Sequence, residues 1–118
     1  MRWAALLLVL VTSCAPKAVQ TITLHLDDSE GLRVQSAAQL TVTLLHGSRP
    51  LEATDVRAQA DMRHAGMGTV RARVTPLGQG RYRLSGLNLN MAGDWVLSVS
   101  ATEQGESLHS ETAFVVEP

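Results

Sequence analysis

From about residue 20 onward, apolar and polar positions alternate with a period of two, segment after segment. A β-strand places successive side chains on opposite faces, so half-buried strands require this period. The first stripes are Ile22, Leu24 and Leu26, then Leu40, Val42 and Leu44, then Val56, Ala58, Ala60 and Met62. The later stripes are Val70, Ala72 and Val74, then Tyr82, Leu84, Leu87 and Leu89, then Trp95, Leu97 and Val99, and finally Leu108, Thr112, Phe114 and Val116. No segment has a convincing helical period.

Turn-forming residues separate these stripes at intervals of about eight to twelve residues. The clusters are Asp27-Asp28-Ser29-Glu30-Gly31, Gly47-Ser48-Arg49-Pro50, Ala65-Gly66-Met67-Gly68, Gly78-Gln79-Gly80, Met91-Ala92-Gly93-Asp94 and Gln104-Gly105-Glu106. About seven short strands separated in this way predict an all-β fold, an immunoglobulin-like antiparallel β-sandwich of two sheets. We assign this single domain to residues 20–118.

One hairpin can be predicted in register. If Gly78-Gln79-Gly80 forms a three-residue loop in which Gly80 supplies a positive φ, the flanking strands align. The predicted pairs are Pro76 with Tyr82 and Val74 with Leu84, all on the core side. The same register places four arginines together on the outer face, namely Arg71, Arg73, Arg81 and Arg83. Such a stripe could meet anionic lipid or a partner, but a solvated sheet face is the commoner explanation, and we assign it no function.

The first thirteen residues, MRWAALLLVLVTS, contain one arginine, an unbroken apolar run from Trp3 to Val11, and small polar residues directly before Cys14. This arrangement is typical of a cleaved export signal. The apolar run is much shorter than the about 20 residues that a permanent membrane-spanning helix needs. We therefore predict that residues 1–13 are removed on export.

The tetrapeptide Val11-Thr12-Ser13-Cys14 resembles the lipobox of bacterial lipoproteins, in which the cysteine is acylated, as with palmitate, and becomes the new N-terminus. Cys14 is the single cysteine of the chain, so it has no disulfide partner. Residues 14–19 are then the lipidated cysteine and a short tether; the alternative is an ordinary signal peptide with a chance cysteine. The resemblance implies a lipid-anchored protein of the cell envelope. It places the protein on the outer membrane facing the periplasm in a two-membrane organism, as Ala15 favours, and otherwise on the outer face of the plasma membrane.

Three short motifs follow one another along the predicted domain. The first motif is a strand that ends in a glycine turn with methionine and histidine, Asp61-Met62-Arg63-His64-Ala65-Gly66-Met67-Gly68. The second is a Gly-x-Tyr strand start, Gly80-Arg81-Tyr82. The third opens the next strand and reads Met91-Ala92-Gly93-Asp94-Trp95. Through their order and spacing, residues from about 21 to 100 resemble the YtkA-like family of small exported bacterial domains, related in pattern to the FixH proteins of cytochrome oxidase assembly. The resemblance implies an immunoglobulin-like sandwich in the envelope, sometimes associated with copper handling or oxidase maturation.

The methionines are the candidate functional residues. After loss of the signal peptide the chain keeps three, Met62, Met67 and Met91, all in or beside two of these motifs. Thioether sulfur is a soft ligand suited to Cu(I), and imidazole also binds copper. Met62 and His64 stand at i and i+2 on a strand, so they project from the same face. We predict a Cu(I) site formed by Met62, His64 and Met67, joined by Met91 if its turn lies at the same end of the sandwich.

Each of these residues also has an ordinary explanation. Met62 continues the inward parity of its strand, Met91 fills the sandwich end beside Trp95, and His64 is then an exposed turn residue. Arg63 departs from the denser pattern of relatives, although at i+1 it points to the opposite face. The alternative function is therefore a metal-free sandwich module for protein–protein interaction in the envelope.

Composition and motifs argue against two broad classes of function. The formal net charge is −1, so nothing favours nucleic acid. The chain has no Gly-x-Ser-x-Gly elbow and no phosphate-binding loop, so we predict that it is not an enzyme. His25, His46 and His109 are isolated and lack metal-ligand spacing, and we predict that they are surface residues. The expected partners are the membrane, through the N-terminal lipid, and a client protein of the envelope.

Overall fold

A computed structural model describes residues 20–27, 31–53, 55–63 and 68–118. The signal peptide and tether, predicted at residues 1–13 and 14–19, lie outside the described residues. The described residues form ten strands: β1 (Gln20–Thr21), β2 (Thr23–Leu26), β3 (Gln35–His46), β4 (Arg49–Pro50), β5 (Asp55–Met62), β6 (Val70–Arg71), β7 (Arg73–Gly78), β8 (Arg81–Leu89), β9 (Gly93–Glu103) and β10 (Glu106–Val116). Over these same ranges, no helix is long and apolar enough to cross a membrane.

The strands form two sheets that pack face to face. Sheet A has the order β1-β10-β9-β5-β6, and sheet B has the order β2-β3-β8-β7, with β4 also paired to β3. Among these strands only β1 and β10 run parallel, and the other pairs are antiparallel. The predicted immunoglobulin-like sandwich is confirmed, and seven of its strands are at least four residues long.

The apolar stripes meet in one core between the sheets. Six of the seven predicted stripes contribute buried side chains, whereas Val70, Ala72 and Val74 pack against the core half-buried. Trp95 and Phe114 stack within this core, where β9 pairs with β10, with ring centroids 6.3 Å apart. Leu51, which follows β4 and lies outside every predicted stripe, is fully buried. No polar or charged residue is buried within the described ranges, so the core is held by apolar packing.

The segment between β5 and β8 crosses from one sheet to the other. β6 pairs with β5 in sheet A, whereas β7 pairs with β8 in sheet B, so the chain changes sheets at Ala72. Arg71 therefore lies on sheet A, apart from Arg73, Arg81 and Arg83. The predicted stripe of four arginines is wrong at this one position, because the alternating pattern continues through the crossing without a visible break.

The hairpin of β7 and β8 has the predicted register. Pro76 pairs with Tyr82, and Val74 pairs with Leu84. Tyr82 and Leu84 are buried and Val74 is half-buried, but Pro76 is exposed. Its predicted position on the core side is wrong because β7 is the outer strand of sheet B and its register shifts just after Pro76.

The turn of this hairpin is shorter than predicted. β7 continues to Gly78, and only Gln79 and Gly80 form the turn, with φ values of 56° and 76°. Two positive φ angles in succession are what a type I′ hairpin turn requires. The turn is tied to the rest of sheet B, because the Leu44 amide donates a hydrogen bond to the Gly80 carbonyl at 2.8 Å.

The two ends of the sandwich hold different parts of the chain. Gln20 begins the described domain, and its Oε1 lies 3.2 Å from His46 Nε2 at the end of β3. We call this end, which also holds the β7–β8 and β9–β10 turns, the tether end, because the predicted tether would join the domain there, at Gln20. The opposite, distal end holds the last residue of β5 and the first residues of β9, which pair through Met62 and Trp95.

Candidate site at the distal end of the sandwich

Met62, the first predicted ligand, is the last residue of β5. Its side chain faces the core, only 8% of the residue is exposed, and it lies opposite Trp95 on β9. A Cβ placed on Gly93 would lie 3.2 Å from Met62 Cε, so the end of the Met62 side chain lies beside the start of the neighbouring strand β9. The inward parity predicted for Met62 is therefore correct.

Met91 lies in the turn between β8 and β9. Its backbone carbonyl accepts a hydrogen bond from Trp95 Nε1 at 3.0 Å, which fixes the turn against the core. The Arg63 amide, directly after β5, donates to the Asp94 carbonyl at 3.2 Å. The turn of Met91 therefore lies at the same end as Met62, which is the condition set for its joining the site. The Met91 side chain itself is 44% exposed.

An open recess of about 180 Å3 lies at this end, between β5, β6 and the start of β9. It is lined by Met62, Gly68, Thr69, Val70, Asn90 and Trp95. The Thr69 hydroxyl hydrogen-bonds with the Asp61 carboxylate, which holds the residues before β6 against β5. One residue with a soft donor atom, Met62, therefore lines a recess at the point where β5 ends and the segment with His64 and Met67 begins.

His64 and Met67 lie outside the described residues, between Arg63 and Gly68, which are both exposed. Within the described ranges, no group of three or more histidine, cysteine, aspartate or glutamate side chains is placed to hold a metal ion. A soft-metal site at the distal end therefore depends on thioether sulfur together with His64. That donor set fits Cu(I) better than Zn²⁺ or Mg²⁺, which favour thiolate, imidazole or oxygen ligands.

The three remaining histidines are distributed over the surface. His25 is exposed on sheet B, whereas His46 and His109 are half-buried. His46 Nδ1 lies 3.5 Å from Glu103, and His109 Nε2 lies 3.2 Å from Glu111. The prediction of surface positions is correct, and the carboxylate neighbours of His46 and His109 were not predicted because they depend on strand pairing.

A wider recess of about 580 Å3 lies on the outer face of sheet A, where sequence reasoning predicted nothing. The two small side chains of Ser98 and Ser100 on β9 form its floor, between the longer side chains of β5 and β10. Two of the titratable groups around it have a carboxylate neighbour, Arg57 with Asp55 at 3.3 Å and His109 with Glu111 at 3.2 Å. Because its charges are mixed and do not converge on one point, we assign it no chemistry.

The sequence and the fold were compared with known proteins. A family model described as YtkA-like matches residues 17–100, a span that contains all three motifs. No curated protein matches the chain. Among solved structures, the crystal structure of the Lin-41 filamin domain is similar, with a TM-score of 0.57 and 18% sequence identity over 86% of this chain and 96% of that chain. At this level of identity, the likeness shows a shared immunoglobulin-like fold alone.

Proposed function

Because the chain belongs to the YtkA-like family, we propose that it is a membrane-anchored lipoprotein of the bacterial envelope whose distal end binds Cu(I). The proposed ligands are Met62, His64, Met67 and Met91, and the proposed role is buffering or delivery of copper during oxidase maturation, without catalysis. One observation supports this site above all. The end of β5, which leads into the segment with His64 and Met67, lies beside the turn that contains Met91.

The proposed anchor is the lipid on Cys14. Only five residues separate Cys14 from Gln20, where the domain begins at the tether end. The copper site would then lie at the end of the sandwich opposite the tether. We propose the outer membrane as the location in a two-membrane organism and the outer face of the plasma membrane otherwise.

Lipidation can be tested by metabolic labelling with an alkyne analogue of palmitate, followed by membrane fractionation. We expect the wild-type protein to take up the label and to sediment with membranes, and Cys14→Ser to lose both properties. Ser13→Ala is the matched control, because a small residue is kept before the cysteine. Equal labelling of the Cys14→Ser variant would exclude this anchor.

Cu(I) would be held in this site by soft donors that need not lose a proton on binding, since thioether sulfur has none. Met62 is shielded from water by the core on one side, while the exposed Met91 offers a route by which an ion reaches the site. In this proposal these residues bind and release the ion. The packed end of the sandwich keeps the segment after β5 close to the turn between β8 and β9.

Copper binding can be tested by competition against a chromophoric Cu(I) chelator with the fragment from Lys17 onward, which contains every core residue. We expect a stoichiometry near one ion per chain. Met62→Leu with Met67→Leu removes two sulfurs while keeping apolar volume, and we expect it to abolish competition. Stoichiometry far below one, or unchanged affinity in the double variant, would refute the site.

The alternative is a metal-free module that binds another envelope protein, and one observation favours it. Met62 belongs to the hydrophobic core and is only 8% exposed, as a residue with a packing role alone would be. Affinity capture of the lipidated protein from its native membrane separates the two functions. A reproducible partner that is captured equally by the wild type and by the methionine double variant supports the alternative, and a partner that is lost with the methionines contradicts it.

A further inference from the structure

The outer face of sheet B has an unusual composition. Its outward positions alternate with the buried ones along each strand, as the strand pairing requires. They are Thr23 and His25 on β2, Thr41, Thr43 and Leu45 on β3, Arg81, Arg83 and Ser85 on β8, and Arg73 and Thr75 on β7. None of these residues is acidic. We call this surface the basic face.

Three arginines give the basic face its charge. Arg81 lies in the same cross-strand row as Thr43 and His25, Arg83 lies one row further along β8, and Arg73 lies opposite Ser85. All three arginines are exposed. None of the ion pairs formed within the described ranges includes them.

Two carboxylates lie at the margins of the basic face, Asp27 beside β2 and Glu52 at the β7–β8 turn, where Glu52 Oε1 accepts a hydrogen bond from the Gln79 amide at 3.2 Å. Asp27, which follows β2, accepts a hydrogen bond from the Thr43 hydroxyl at 3.1 Å. It lies on the side of β3 away from β8, where the arginines begin. The positive charge is therefore concentrated over β7 and β8.

The opposite surface of the molecule differs in charge. The outward positions of sheet A mix acidic and basic side chains, including Asp55, Asp61 and Glu111 together with Arg57 and Arg71. With a formal net charge of only −1 for the whole chain, the grouping of three arginines on one face is a property of the fold and not of the composition.

The chain length before the domain determines what this face can reach. The segment from Cys14 to Gln20 spans at most about 20 Å when fully extended, at roughly 3.5 Å per residue. Gln20 contacts His46, and His46 lies three residues beyond Thr43, which is paired directly with Arg81. Gln20 itself lies on β1 of sheet A, about 10 Å from sheet B, so with about 3.3 Å per residue and 4.8 Å between strands the basic face begins roughly 15 Å from the tether attachment. The extended segment is long enough to cover this distance.

We infer that the basic face docks on a surface of anionic phospholipid when the chain is anchored at Cys14. The arginines supply the complementary charge, and Leu77, which is 40% exposed at the tether end of β7, supplies an apolar contact at the lipid interface. The sandwich then lies flat, with sheet B against the membrane and sheet A toward the aqueous side. This inference rests on the proposed lipid anchor for its tether.

The test places the mature chain on vesicles in a defined way. Cys14 is its only cysteine, so it can be coupled to a maleimide-bearing lipid at the native anchor position. The chemical anchor works whether or not the cell lipidates Cys14, so failure of this inference is distinguishable from failure of the proposed function. Two vesicle types are compared, phosphatidylcholine alone and phosphatidylcholine with phosphatidylglycerol.

The measurement is the rate of carbethoxylation by diethylpyrocarbonate, determined by mass spectrometry at two histidines. His25 lies on the basic face, and His109 lies on the outer side of sheet A as an internal reference. Because each arginine near an anionic surface contributes roughly fivefold to docking, we expect phosphatidylglycerol to lower the rate at His25 by at least about fivefold. The rate at His109 should stay within about twofold, and high salt should remove the difference.

Charge-matched variants complete the design. The triple variant Arg73→Gln, Arg81→Gln, Arg83→Gln should lose the protection of His25. The control triple Arg57→Gln, Arg63→Gln, Arg71→Gln removes the same amount of charge outside the basic face. The protection of His25 should persist in this control. Because all six residues are exposed, the fold should persist in both variants, which the fluorescence of Trp95 verifies.

Three results would overturn the inference. They are equal protection of His25 and His109, equal loss in both triple variants, and no protection by phosphatidylglycerol. If polyglutamate in solution protects His25 while phosphatidylglycerol vesicles do not, the basic face binds an acidic protein and not the membrane.

Discussion

Substitution of Gly80 by alanine tests how the β7–β8 turn is held against the rest of the sandwich. Gly80 is buried, and a Cβ added there would lie 2.7 Å from the Leu44 carbonyl oxygen, 3.1 Å from Pro50 Cβ and 3.2 Å from the Leu51 amide nitrogen. The Leu44 backbone cannot easily move away, because its amide bonds to Gly80 and its carbonyl accepts from the Leu51 amide at 2.9 Å. The substitution therefore forces the turn away from β3.

The expected magnitude has two parts. A φ of 76° costs a residue with a Cβ about 1–2 kcal/mol, and the steric displacement adds about 1–3 kcal/mol, as overpacking does elsewhere. We expect Gly80→Ala to lower the free energy of unfolding by about 2–5 kcal/mol, against the roughly 5–15 kcal/mol that a domain has in total. Gly86→Ala is the matched control, since Gly86 has a φ of 72° with nothing within 4 Å of its Cβ position. Only the backbone cost of about 1–2 kcal/mol applies there.

Urea unfolding of the fragment from Lys17 onward measures both variants. Trp95 is the only tryptophan of that fragment and is 1% exposed, so its fluorescence reports loss of the core. The two variants should share one m-value, with Gly80→Ala about 1–3 kcal/mol less stable than Gly86→Ala. If Gly86→Ala is as destabilising as Gly80→Ala, the close approach to Leu44 is not what requires glycine at position 80.

Two further variants test polar contacts of different worth by the same unfolding assay. Tyr82→Phe removes the hydroxyl that hydrogen-bonds with the Leu51 carbonyl at 2.8 Å and the Ala53 amide at 3.1 Å. We expect the free energy of unfolding to fall by about 1–3 kcal/mol, because both backbone groups lose their partner. No change in this free energy would mean that water replaces the hydroxyl. Arg49→Gln removes an ion pair with Glu103 at 2.9 Å, but the Arg49 side chain is 66% exposed. We therefore expect the free energy of unfolding to fall by at most about 1 kcal/mol, and not at all in high salt. A larger decrease that does not depend on salt would contradict this expectation.

The fold could be predicted from the sequence because the longer strands each contain an alternating signal, whereas the two-residue strand β4 falls within a predicted turn cluster. A period of two identifies which residues of a strand face the core, and the register of β7 with β8 followed from a local turn. The change of sheets at Ala72 could not be predicted, because both sides of the crossing keep the same alternation. Leu51 was missed for a related reason: a single buried residue between two strands has no period at all.

The candidate site was less predictable than the fold. That Met62 and Met91 share one end depends on the pairing of β5 with β9, which joins residues more than thirty positions apart. The sequence identified the thioether and imidazole donors and the face of the strand on which each side chain lies. The predicted inward position of Met62 is confirmed. His64 and Met67 lie outside the described residues, so their part in the site stays a prediction.

The family motifs differ in what they do in the fold. The Gly-x-Tyr motif is structural, since Gly80 allows the close approach to β3 and the Tyr82 hydroxyl bonds the chain after β4. In the Met-x-Gly-x-Trp motif, Trp95 holds the Met91 turn through its indole nitrogen. Both motifs therefore have a folding role whether or not a metal binds at the distal end.

The passage of the chain between β1 and β2 has a mechanical consequence. β1 belongs to sheet A and β2 to sheet B, and Ile22 between them is 2% exposed in the core. Force applied through the N-terminus enters at Gln20 and within two residues reaches a side chain clamped by both sheets. Pulling Ile22 out of its place would expose the core to water. The applied force is therefore resisted by both sheets, and the edge strand β1 cannot detach by itself.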